Sequence, residues 1–223
     1  MIRFAFLAAV FILFGFSPAN AGDPRTLDWN MLLPELPELQ SPFHEMPEEL
    51  QFDVETLADI RRLEAKGRET DDGYPLDELR IDLTRRLTKH GIDIEAAVQD
   101  YEDLVTEIVR RNNIVAAELS GAMVRIPGYA LPLEYEGESI KEFLLVPYVG
   151  ACIHAPPPPP NQMVFVKVKQ DFVADGLYEP VWVTGRLETQ KVSKELSYVD
   201  GQAAIKVGYI MDGTNIKPYE REK

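Results

Sequence analysis

The hydrophobic pattern of this chain changes period once, near residue 120. Before that point apolar residues recur at spacings of three and four; after it they alternate or run together. Val54, Leu57, Ile60 and Leu63 form one helical stripe, and Leu76, Leu79, Leu83 and Leu87 form a second. Ile94, Val98, Tyr101, Leu104, Val105 and Ile108 form a third. Asp93 is placed to cap that third helix, and Asn112-Asn113 to end it. Gly91 stands where a helix often closes on a left-handed glycine. The other positions are largely charged, so each helix has one face to bury. Glu69–Gly73 and His90-Gly91 are short connections, which favours antiparallel neighbours.

The second part predicts five strands: Ala122–Leu133, Ile140–Val149, Met163–Val168, Val181–Val192 and Ala203–Met211. Ile140–Val149 becomes a continuous apolar run, as in a strand covered on both faces. Gly128, Gly185 and Gly208 fall inside these patterns and predict bulges or tight bends. Five short curving strands fit a small, partly open barrel of the OB type, with a small sandwich as the alternative. The expected class is α+β: a five-stranded OB-like antiparallel barrel with an inserted acidic helical subdomain. The expected divisions are a signal peptide at 1–21, an irregular proline-punctuated arm at 22–44, helices at 45–119 and the barrel at 120–223. In the arm, Leu27-Asp28-Trp29 and Leu32-Leu33-Pro34 could dock on a neighbouring surface.

Charge follows the same division. Residues 44–119 hold 20 Asp/Glu against 10 Lys/Arg, whereas residues 120–223 hold 13 against 11. The net charge of -14 argues against sequence-independent nucleic-acid binding, which needs Lys and Arg on phosphates, and against docking on anionic lipid. The plain reading of the acidic helices is a solvated face; the sharper one is recruitment of a basic partner. Asp71-Asp72-Gly73 lacks the remaining ligands of a calcium loop.

The N-terminus reads as a secretory signal. Arg3 precedes the uncharged apolar run Phe4–Phe16, and Ala19-Asn20-Ala21 is a cleavage site before Gly22. The run is shorter than the roughly 20 residues of a spanning helix. Cleavage would release a periplasmic chain with no further membrane insertion. The single cysteine excludes an internal disulfide, so packing must supply the stability.

The densest chemistry lies in Phe143–Gln162, FLLVPYVGACIHAPPPPPNQ. Cys152 and His154 share one side of an extended chain, so they could hold zinc or copper. Two ligands are an incomplete set, and His44, His90 and Met163 are the other candidates. The plainer reading is a small buried thiol beside a satisfied histidine. A thiol enzyme, with His154 activating Cys152 and Asn161 orienting it, comes third, because no supporting catalytic motif occurs. Pro156, Pro157, Pro158, Pro159 and Pro160 favour a polyproline II ridge roughly 15 Å long. With Tyr148, Asn161 and Gln162, that ridge is a candidate surface for a partner or ligand. The alternative is a rigid connector that ends a sheet ladder.

Four stretches together resemble the DUF3299 family of exported bacterial proteins. They are Leu27-Asp28-Trp29 with Leu32-Leu33-Pro34, Val124–Leu133 (VRIPGYALPL), Phe143–Tyr148 (FLLVPY) and Gly150–Gln162 (GACIHAPPPPPNQ). The resemblance covers roughly Ser120–Asp212 and the arm, leaving the helical block as an insertion peculiar to this subtype. It implies a periplasmic protein and no established activity. It also implies company with ABC-type exporter genes or metal-starvation responses, hence a binding or accessory role beside a periplasmic or membrane transport protein.

Overall fold

The computed structural model describes residues 23–67, 76–149, 157–170, 172–174, 176–198 and 201–219. The leader, the connection at 69–73, and Cys152, His154 and Pro156 lie outside these residues. The described chain is mixed α+β, with three helices and a six-stranded sheet. In chain order these are β1 (Arg25–Thr26), α1 (Glu48–Ala65), α2 (Leu76–Lys89), α3 (Ile94–Asn112), β2 (Met123–Glu136), β3 (Ser139–Val146), β4 (Val164–Val168), β5 (Glu179–Tyr198) and β6 (Gly201–Pro218).

The helices follow the three stripes. Val54, Leu57 and Ile60 of α1 and Leu83 and Leu87 of α2 are buried together with Ala97 and Val98 of α3. The Asp93 carboxylate accepts from the Ala96 N–H at 3.2 Å and caps α3. Past the end of α2, Gly91 takes a φ of 74°, which a side chain would resist. Phe43 of the arm packs into this same core.

The sheet departs from expectation in strand number, strand length and direction. β2 pairs with β3, β3 with β4, β4 with β6, β6 with β5, and β5 again with β2. β2, β3 and β4 follow in succession and β5 returns beside β2, which is a Greek key. The β4–β6 pairing is parallel, so the expectation of an all-antiparallel set is corrected. A circuit with an odd number of strands cannot alternate direction throughout, and one parallel pair is forced. β1 is a sixth strand, parallel to β2 at Val124 and Arg125; two residues carry no readable period. β5 and β6 are also longer than predicted, at 20 and 18 residues.

Two apolar clusters flank the central strands. Phe143 and Leu145 of β3 face one and Leu144 and Val146 the other, so the continuous apolar run is covered on both faces. β3 stops at Val146 because Pro147 follows and has no N–H to continue the ladder. Of the three glycines, Gly185 lies at a register shift opposite β6. Gly208 instead admits a neighbour: a Cβ there would sit 2.7 Å from Val115 and 2.8 Å from the Pro160 carbonyl oxygen.

The helices and the arm are fastened to the sheet at one buried phenol. The Tyr209 hydroxyl donates to the Leu32 carbonyl at 2.5 Å and accepts from the Ala116 N–H at 2.7 Å. Leu27, Leu32, Ala116 and Leu119 all enter the first sheet cluster around it. Segments on both sides of the helical block therefore belong to the sheet's core. At the end of α3, Glu107 accepts from Arg110 and Arg111, and Arg111 donates to the Pro37 carbonyl.

Two stability predictions follow from these contacts. Tyr209→Phe leaves the Leu32 carbonyl and the Ala116 N–H without that partner, and chemical denaturation should show a loss of about 2–4 kcal/mol. Burial pushes the Tyr209 phenol up to about 12, so its contribution is complete below the ordinary tyrosine range and lost as pH rises through about 12. Burial and Glu55 push the Tyr101 phenol up to about 12 as well. Absorbance at alkaline pH should show two late tyrosines, Tyr209 and Tyr101, with Tyr209 ionising as the chain unfolds; early ionisation of every tyrosine would contradict this placement. Hydrogen bonds from Arg110 and Arg111 pull the Glu107 carboxyl down to about 2. That contribution is complete above the ordinary carboxyl range and lost as pH falls toward about 2. Glu107→Gln should flatten the acid limb of thermal melting monitored by circular dichroism, and an unchanged limb would count against it.

Candidate aromatic cleft

The Leu27-Asp28-Trp29 turn builds one wall of a cleft. Leu27 is buried, and its N–H donates to the Arg125 carbonyl at 2.8 Å. Asp28 accepts from the Asn30 and Met31 N–H groups at 2.8 and 3.1 Å and fixes the short turn Trp29–Leu32. The turn lays Trp29 against β2, where its indole N–H donates to the Pro127 carbonyl at 2.8 Å. Gly128 makes this approach possible, because a Cβ there would lie 2.9 Å from both the Trp29 ring and the Leu145 side chain.

The cleft lies where β3 ends, β5 begins and β6 ends, and its volume is about 620 Å³. Trp29, Tyr129 and Tyr219 supply its rings, and Pro127, Pro147 and Pro180 its remaining walls, with Gly128 between them. Among the described residues no charged, amide or thiol side chain lines it. Tyr219 stacks on Trp182, with ring centroids 5.5 Å apart and planes at 28°, and the Arg125 guanidinium lies 4.1 Å from the centre of the Trp182 ring. The Tyr129 and Tyr219 hydroxyls have no hydrogen-bond partner among the described residues. Tyr178, two residues before Pro180, holds a φ of 61°, an uncommon conformation for a bulky residue.

The candidate surface in the focal stretch is divided by the structure. Tyr148 is exposed, as is Pro157. Pro158 and Asn161 are buried, and Pro159, Pro160 and Gln162 are half-buried. The Asn161 amide donates to the Arg111 and Ile114 carbonyls, both at 3.0 Å, and so joins the end of α3 to the sheet. Its Oδ1, the atom that could accept from an imidazole N–H, is buried and has no partner among the described residues. The Gln162 amide donates to the Trp29 carbonyl at 2.9 Å. The described end of the proline run is thus a connector whose last two side chains tie α3 and the Trp29 turn to β4. Met163 is buried in the second apolar cluster.

Cys152 and His154, the candidate metal pair, lie outside the described residues, as does Pro156. Among the described residues no group of three or more His, Cys, Asp or Glu is arranged to hold a metal ion. No described helix is long and apolar enough to cross a membrane. The cleft was not visible as a motif. Its aromatic residues were individually noticeable, but Trp29, Tyr129 and Tyr219 come from the arm, β2 and the segment after β6, and no spacing links them.

No curated protein matches this chain. A crystal structure of a DUF3299 family protein from Pseudomonas aeruginosa PAO1 aligns with 27% identity and a TM-score of 0.46, covering 91% of this chain and 100% of that one. The model of the family described as "Protein of unknown function (DUF3299)" matches residues 29–218. That span runs through the helical block, which therefore falls within the matched region rather than outside it. The chain belongs to the DUF3299 family.

Proposed function

We propose that this chain is an exported binding or accessory protein, that its strands form an OB-like barrel, and that the Trp29–Tyr219 cleft is its recognition site. The observation that carries the reading is the cleft itself: a concave site of about 620 Å³ walled by rings and prolines. That size and apolar character suit a ligand site, and its described walls hold no nucleophile or acid–base pair. The return pairing of β5 to β2 supports the barrel, because OB folds are five-stranded Greek-key barrels. Arg3, the run Phe4–Phe16 and Ala19-Asn20-Ala21 support export. A place beside a transport system rests on the family resemblance alone.

Both tryptophans of the chain serve as probes, since Trp29 lines the cleft and Trp182 stacks on Tyr219, which also lines it. Indole and N-acetylproline amide, used as small probes, should perturb tryptophan fluorescence. They should also shift the amide resonances of Gly128, Tyr129 and Tyr219. Perturbation concentrated elsewhere would remove the cleft from consideration. Gly128→Ala should displace the Trp29 ring, lower stability by about 1–3 kcal/mol and weaken probe binding. Mass spectrometry of the secreted chain should find Gly22 at the mature N-terminus, and a retained leader would contradict export by this route.

A further inference from the structure

The walls of the cleft discriminate among ligand chemistries. Sugars and nucleotides are ordinarily held by amide, carboxylate or guanidinium groups, and none of these lines the cleft among the described residues. What the described walls offer is ring surface and two phenol hydroxyls, Tyr129 and Tyr219, with no partner among the described residues. The Trp29 indole N–H is already engaged by Pro127. The matching ligand is therefore apolar on its faces, rich in acceptors and poor in donors.

A polyproline II segment has this character. Its prolines carry no N–H, its carbonyls have no internal partners, and its rings pack on aromatic faces. It is also ordered before binding, so little conformational entropy is lost on docking. The described part of the chain's own run, 157–160, is not free for this role: Pro158 is buried, and Asn161 and Gln162 fasten its end to α3 and the Trp29 turn. The net charge of -14 favours a partner with basic flanks, which would speed encounter in a salt-dependent way.

Resting on the reading of the cleft as the recognition site, we infer that its ligand is a proline-rich segment of a partner protein, extended as polyproline II and flanked by basic residues. Prolyl rings pack between Trp29 and Tyr219, and the two tyrosine hydroxyls donate to peptide carbonyls.

The test uses the full mature chain and two synthetic peptides. One has eight prolines between pairs of lysines; the other has the same length and charge with alternating glycine and alanine between them. Fluorescence titration should show the proline peptide binding at least about tenfold more tightly than the control, and more weakly at high salt. Tyr219→Ala should weaken it at least about fivefold, and Tyr129→Phe, which removes one donor without emptying the site, by about two- to fivefold. Melting curves of Tyr129→Phe matching the parent would tie its loss to binding rather than folding. Equal affinity for both peptides would overturn the inference, as would undiminished binding by Tyr219→Ala. If indole or N-acetylproline amide shifts the cleft resonances while the proline peptide does not bind, the ligand class falls and the recognition site stands. If none of the probes reaches the cleft, both fall.

Discussion

The structure depends on the hydroxyl of Tyr209. It touches the arm, the segment leaving the helices, and the sheet at once, through Leu32, Ala116 and its own strand. A buried backbone carbonyl and a buried N–H each require a partner. One phenol meets both needs, at a point where Leu27, Leu32, Ala116 and Leu119 converge. The Asn161 amide adds a second tie, from the Arg111 and Ile114 carbonyls to the segment before β4. With the Tyr209 bridge, the block's exits are held where β1 and β2 run side by side.

The cleft inherits its rigidity from the same joint. The turn that carries Trp29 ends at Leu32, whose carbonyl accepts a hydrogen bond from the Tyr209 hydroxyl. Gln162 holds the Trp29 carbonyl from the other direction. The indole is further positioned by Pro127 and by the missing side chain at Gly128. A ring at the surface is thus held from β2, β6 and the segment before β4, and such pre-positioning lowers the cost of binding.

Local physics made the elements readable, and long-range geometry hid their arrangement. Leu83 and Leu87, the Asp93 cap and the Gly91 turn were legible because helix period, capping and left-handed φ act within a few residues. The doubly covered Phe143–Val146 run was legible for the same reason. The parallel β4–β6 pair was not, since direction follows from the order in which strands close the circuit. Asn161 carried a residue type that suited an orienting role, but its partners, the Arg111 and Ile114 carbonyls, lie about fifty positions earlier. The aromatic cleft had no signature because rings brought together from separate elements share no period. For the pair Cys152 and His154, the sequence remains the whole of the argument.

Trp29 and Tyr219 stand near opposite ends of the chain, yet they line one cleft. Neither a nascent chain that stops short of β6 nor an intermediate with a detached arm could present both rings. Whatever occupies the cleft would therefore distinguish finished molecules from partial ones. By mass action, occupancy would oppose the fraying of either segment as much as global opening, since each destroys the site, and so would couple the two segments thermodynamically.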